Sequence, residues 1–229
     1  MSTIKKLVRK WFPLDKFISN HSYSQEGEDM VLRSFYEDKK HYKGFYVDIG
    51  AHHPFRFSNT MYFYKKGWRG INVEANPKAL KLFKVFRKRD VNLNVGISGD
   101  KQVLSFYCFN ESALNGFSKE VSYERNNKNN YKIIDTIEVQ TYPLAAILAQ
   151  YLPDKQKIDF LTIDAEGLDF EILKSNNWEK YKPAYILVED KVDLENLAAS
   201  EVYVYLKEIG YEWVAKTKRT LFFKLGDQS

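Results

Sequence analysis

Acidic residues recur in this chain where short apolar runs end, and in an α/β protein that is where chemistry gathers. Asp48 and Gly50 close the run from Phe45, Glu74 follows Gly70 to Val73, Asp164 follows Ile158 to Ile163, and Glu189-Asp190 follow Ala184 to Val188. Gly96 falls at the end of a further run, Val91 to Ile97. Open parallel sheets bind ligands beyond the carboxyl ends of their strands, where strand order reverses. The first turn carries a single glycine, Gly50, followed by Ala51-His52-His53-Pro54. The G-x-G-x-x-G pattern that brings a backbone up to a pyrophosphate is absent. An acid ending the second strand can accept hydrogen bonds from both hydroxyls of a ribose. An adenosine ligand without a pyrophosphate fits Glu74, and S-adenosylmethionine is such a ligand. The plainer alternative is an acid that caps a helix.

The elements that position these residues follow from hydrophobic periodicity. Phe45 to Ile49, bounded by Gly44 and Gly50, reads as a buried strand. Thr60 to Lys66 reads as a helix stopped by Gly67, and Asn76-Pro77 opens another with Leu80, Phe83 and Phe86 on one side and lysines on the other. Upstream, Ser22 and Gln25 are spaced as a capping box for a helix through Tyr36. Strands are expected at 91–97, 103–109, 137–141, 158–163 and 184–188, helices at 143–152, 170–173 and 194–209, and a closing hairpin at 211–225. The Asn-rich stretch Arg125 to Asn130 makes 121–136 a surface loop or mobile lid. Repeated alternation gives one α/β domain, residues 23–229, preceded by a basic segment, 1–22. Its sheet is mostly parallel, with an antiparallel C-terminal edge.

Composition removes several classes. At 229 residues, 44% apolar and 28% charged, the chain has the makings of one large domain with a core. The 35 Lys and Arg against 30 Asp and Glu leave +5, short of a dedicated nucleic-acid footprint. Cys108 is the sole cysteine, which excludes an intrachain disulfide and a Cys-rich zinc site and points to a reducing cytoplasm. The longest uncharged run, Val139 to Pro153, is too short for a membrane span. The cations near the start lead to Trp11-Phe12-Pro13, not to the apolar region of a secretory signal. The 16 Tyr, 16 Phe and 4 Trp belong mainly to core and half-buried strands.

Several blocks together carry a resemblance. Val47 to Pro54, Ser58-Asn59-Thr60 and Gly67 to Glu74 are similar to the FkbM family of S-adenosylmethionine-dependent methyltransferases. Ser24 to Asp29, Ala113-Leu114-Asn115 with Phe117-Ser118, and Asp159 to Gly167 resemble other blocks of that family. The likeness runs from Ser24 to Asp190 in the family's order. It implies a Rossmann-like class I methyltransferase fold with a seven-stranded sheet, and O-methylation of a hydroxyl, often on a sugar or natural product. It assigns Asp48, Gly50 and Glu74 to the cofactor, with Ser58 and Asn59 near its methionine end; Gly96 joins this set. The Asn-rich middle matches none of the family's blocks.

A sugar hydroxyl is a poor nucleophile, so a transferase must align it with the methyl group and help its proton leave. His53, or its neighbour His52, could be the base beside the sulfonium. Asp164 with Glu189 and Asp190 could converge on one sheet edge and hold Mg²⁺ or Mn²⁺, similar to metal-dependent sugar O-methyltransferases of macrolide pathways. Otherwise Asp164 caps a helix and the other two are solvated. The expected acceptor is a sugar, nucleotide sugar or glycan of surface polysaccharide or glycoconjugate synthesis, without nucleic acid or stable membrane insertion, in a chain that could form homo-oligomers. Lys78 to Arg89 raises the alternative of a nucleic-acid methyltransferase, against which stands the absence of any Pro-Pro dipeptide for an amino-methylase motif. Another small-molecule acceptor, or a silent binding module of the same fold, completes the alternatives.

Overall fold

Five consecutive buried residues, Phe45–Ile49, form strand β1, the pattern of a strand covered on both faces. The computed structural model describes residues 20–39 and 41–226. Most of the basic segment 1–22 therefore lies outside the described residues.

In chain order the elements are α1 (Glu28–Ser34), β1 (Phe45–Ile49), α2 (Met61–Lys65), β2 (Arg69–Val73), α3 (Pro77–Phe86), β3 (Val91–Leu93), β4 (Gly96–Ile97) and β5 (Gln102–Phe109). There follow α4 (Lys119–Arg125), β6 (Ile133–Tyr142), α5 (Leu144–Tyr151), β7 (Phe160–Ile163), α6 (Asp169–Lys174), β8 (Tyr185–Glu189), α7 (Glu201–Glu208), β9 (Tyr211–Lys216) and β10 (Thr220–Leu225). Seven strands make one sheet in the order β3-β2-β1-β7-β8-β10-β9. The first five run parallel, and β10 is antiparallel to both β8 and β9. From β1 the chain builds outward through β2 and β3, then returns to lay β7 on the other side of β1. The reversal point is thus the gap between the carboxyl ends of β1 and β7. One apolar cluster includes Val47, Ile71, Leu161, Ile186 and Phe223, while Tyr46, Phe63, Trp68, Phe160 and Phe222 form the other layer.

Four local expectations are corrected. Ser22 and Gln25 do not cap α1; left-handed Gly27 does, at φ 90°. Ser22 instead donates to Asp29, whose carboxylate also takes the Ser24 hydroxyl and the Tyr23 amide. The strand expected at 91–97 breaks in two because Asn94 donates its side-chain amide to the carbonyls of Glu74 and Ala75, both at 2.9 Å. Beyond the break, β4 joins β6 and β5 in a separate three-stranded sheet. Residues 121–136 are not one loop: Ser118 caps α4 by accepting the Val121 amide, and β6 begins at Ile133. Only the tip is irregular, with Asn127, Asn129 and Asn130 at positive φ, a conformation that asparagine tolerates. Last, the 194–209 helix divides at Ser200, which caps α7 after a 3-10 segment, Leu194–Ala199.

Candidate functional site

A cleft opens at the β1/β7 reversal point, with Asp48, Gly50, Glu74, Gly96, Thr162 and Asp164 among its lining residues. Glu74 is held by the backbone on both oxygens: the His52 amide donates to Oε2 at 2.6 Å and the Asn76 amide to Oε1 at 2.7 Å. Burial nevertheless pushes its pKa up to about 7, with Asp48 adding to the rise against those two amides. Each carboxylate oxygen keeps a lone pair for a further donor. A buried acid still seeking donors suits a diol.

Asp48, raised to about 6 by burial, rests on a network that local sequence reading does not reveal. Thr60 donates to Asp48 Oδ2 at 2.8 Å, and Arg87 donates to Thr60 at 2.9 Å. Arg87 falls within the cationic run Lys78 to Arg89, yet its side chain is fully buried and paired with equally buried Asp90 at 3.0 Å. It also donates to the Tyr46 hydroxyl and the Pro54 carbonyl. One guanidinium therefore ties β1, the 51–57 loop and the start of α2 together. Such forked geometry is what arginine provides and lysine does not.

The two histidines diverge. His53 Nδ1 accepts the amides of Phe55 and Arg56 at 3.2 and 3.1 Å, so that nitrogen shapes the loop. His52, at φ 52°, lines the cleft, and its Nε2 is buried without a partner among the described residues. Burial, with Arg56 and His53 nearby, lowers its pKa to about 4, so the ring is neutral. Ser58 is buried and accepts the Met61 amide, the first of α2, at 3.1 Å. Asn59 faces the cleft and donates to Thr162 at 2.9 Å. Gly50 has φ 76°, and a Cβ there would stand 1.9 Å from the Asp164 carbonyl oxygen. Its glycine is demanded by contact between β1 and the end of β7, whatever binds above. A Cβ on Gly96 would meet the Phe117 ring at 2.5 Å.

The acidic cluster has a different third member from the one expected. Asp164, Glu166 and Glu189 place carboxylate oxygens within 4.8 Å of one another. Asp190 is turned away: it accepts the Val192 amide and the Ser200 hydroxyl, fixing the segment before α7. Glu166 enters the cluster because its backbone is left-handed, at φ 49°. Asp169, not Asp164, satisfies the loop after β7, accepting the Ala165 and Gly167 amides. Among the described residues nothing donates a hydrogen bond to the Asp164 carboxyl. Asp164 is exposed at the cleft mouth, yet the protein packed around its carboxyl and the charges of Glu189, Glu166 and Asp169 raise its pKa, with Lys191 opposing. Glu189 is raised by burial and by Glu166. Two cations partly offset the crowd, Arg125 on Glu166 at 2.7 Å and Lys191 on Glu189 at 3.3 Å.

Sequence reading missed Arg87, Glu166 and the wall supplied by the small sheet, where Phe106, Ala113 and Phe117 face the cleft. This combination can hold a nucleoside by its ribose, cover it with apolar surface and present a hydroxyl-bearing molecule to a neutral imidazole and a high-pKa carboxyl.

Residues 48–213 match a family model described as the methyltransferase FkbM domain. Among solved structures, the chain is similar to a methyltransferase FkbM from Methylobacillus flagellatus KT, at 13% identity and a TM-score of 0.51, covering 79% of this chain and 43% of that one. This chain thus spans less than half of that protein's length. It is also similar to a precorrin-6y C5,15-methyltransferase from Geobacter metallireducens GS-15 (15% identity, TM-score 0.43, 93% and 95% covered). A third similar structure is M. capricolum TrmK in complex with S-adenosyl-homocysteine (12% identity, TM-score 0.42, 91% and 73% covered). At these identities the likeness is one of fold. No curated protein matches the sequence.

Proposed function

Since the chain belongs to the FkbM methyltransferase family, we propose that it transfers the methyl group of S-adenosylmethionine to a hydroxyl oxygen of a sugar, in surface polysaccharide or glycoconjugate synthesis. Two observations support the cofactor fit. Glu74 is a buried acid with unused acceptor capacity, suited to the ribose diol, and Phe106 and Phe117 offer apolar cover on the same wall. In this reading Asp48 and Gly50 shape the floor, Gly96 flanks the nucleoside, and Ser58 and Asn59 hold the loop near the methionine end.

The observation that carries the acceptor reading is the trio Asp164, Glu166 and Glu189, with oxygens within 4.8 Å of one another at the cleft. Three carboxylates accept hydrogen bonds from vicinal hydroxyls and repel a phosphodiester backbone, so they favour a polyol over nucleic acid. Asp164, on the cleft lining with no internal donor among the described residues and with its pKa raised by burial and by its acidic neighbours, is placed to take the acceptor proton. His52, neutral and with a free Nε2, orients that hydroxyl. The oxygen donor set also suits a hard divalent cation such as Mg²⁺ or Mn²⁺; Asp164, Glu166 and Glu189 would hold it, and it would lower the pKa of a bound hydroxyl.

The test is transfer of a labelled methyl group from S-adenosylmethionine into extracts fractionated into carbohydrate, nucleic acid and small molecules. Label in carbohydrate, lost in Asp164→Asn while S-adenosylhomocysteine still binds, is the expected result. Label confined to RNA or DNA overturns the acceptor reading.

A further inference from the structure

Helix α3 buries Leu80 and Phe83 and turns its other large apolar residues to solvent. Leu82, Val85 and Phe86 stand 37%, 55% and 48% exposed, at the i, i+3, i+4 spacing that lines side chains along one stripe. Phe55, on the loop that also carries His52, prolongs the stripe: its ring meets that of Phe86 edge-on with centroids 5.0 Å apart. Lys78, Lys81 and Lys84 on the same helix, and Lys88 just beyond its end, flank the stripe, all exposed. Among the described residues none of these four lysines makes an ion pair. No acid occurs between Glu74 and Asp90.

We propose that this face docks on an anionic lipid bilayer, holding the protein peripherally with the 51–57 loop at the contact. Single exposed apolar residues need no partner, but a contiguous group flanked by four lysines has the composition of helices that lie in a membrane interface. The lysine heads meet lipid phosphates while the Phe and Leu side chains reach the acyl boundary. A second copy is the poorer occupant, because a two-fold contact would bring four lysines against four. Nucleic acid is less suited as well: the Phe55 and Phe86 rings pack against each other, and Leu82 and Val85 offer a base no flat surface. The surface is independent of the acceptor chemistry proposed above, and its test needs no turnover.

Full-length protein is sedimented with vesicles of phosphatidylcholine, alone or mixed with phosphatidylglycerol. Binding is expected on the mixed vesicles, weakening with added salt, and not on phosphatidylcholine alone. Val85→Ser/Phe86→Ser and, separately, Lys81→Glu/Lys88→Glu should each lower the partition coefficient by more than about tenfold. Neither should change the thermal midpoint or the affinity for S-adenosylhomocysteine, since all four side chains are exposed. Undiminished binding by both variants would assign the membrane contact to residues 1–19 and overturn the proposal. Three further results would overturn it: no wild-type binding to mixed vesicles, dimers abolished by the same substitutions, or an RNA duplex bound by this face in place of vesicles.

Discussion

Acidifying the medium from about pH 8 to about pH 6 should weaken S-adenosylhomocysteine binding roughly tenfold through Glu74 alone. A ribose diol donates to the ionised carboxylate, so the ligand selects that form. With a free-protein pKa of about 7, the apparent dissociation constant grows by 1 + 10 raised to (pKa − pH). That factor is about 1.1 at the alkaline end and about 11 at the acid end, a difference of about 1.4 kcal/mol. Asp48, raised to about 6, bends the curve only near its lower limit. The same shift acts on stability with the opposite sense. Between the ordinary glutamate value of 4.5 and about 7 the folded state keeps a proton that the unfolded chain has lost. Ligand-free protein therefore loses stability as pH rises through that window, by about 3 kcal/mol in all from Glu74. Calorimetric titration across the range, in buffers of different ionisation enthalpy, reads both affinity and proton release. Glu74→Gln should weaken binding by about 2 kcal/mol at the alkaline end and remove most of the pH slope. A flat wild-type profile, or a slope that survives unchanged in Glu74→Gln, would refute the assignment of the ribose to Glu74.

Arg87→Met leaves Asp90 buried and unpaired, and should cost about 3–5 kcal/mol in urea unfolding; adding Asp90→Asn should recover part of that loss. Gly50→Ala, whose Cβ would stand 1.9 Å from the Asp164 carbonyl oxygen, should lower the thermal midpoint by more than about 10 °C, or prevent folding. Exhaustive chelation followed by Mg²⁺ or Mn²⁺ should abolish and restore turnover if a cation is used; full activity after chelation leaves Asp164 and His52 to handle the proton unaided. Asp190→Asn should perturb the thermal midpoint, through the Ser200 contact, more than it perturbs turnover.

The strand ends were legible because parallel neighbours finish on one edge: apolar runs at 45–49, 70–73 and 158–163 place Asp48, Glu74 and Asp164 together without any knowledge of side-chain direction. Direction is what local sequence withholds. Glu166 and Asp190 both lie just beyond strands, yet left-handed backbone turns the first into the cluster and a helix-capping segment claims the second. His52 and His53 are adjacent and chemically identical, and only the hydrogen bonds of the following turn separate them. Arg87 sits among lysines, and apart from Asp90 its partners Thr60, Tyr46 and Pro54 are distant in sequence, so no periodicity marks it as buried. Asn94 illustrates the same limit for the fold, since one side-chain amide ends a strand that composition would continue.

Phe106 and Val139 of the small sheet pack on Ala75 beyond β2, while Gly50 and Asp164 meet through backbone. The half of the cleft proposed for the donor is thereby fixed by the main chain, and the opposing wall by side-chain packing. Ser112 and Ala113 line the cleft from outside the large sheet, so resequencing them leaves every strand of that sheet in register and lets acceptor preference be tuned apart from the proposed methyl-donor site.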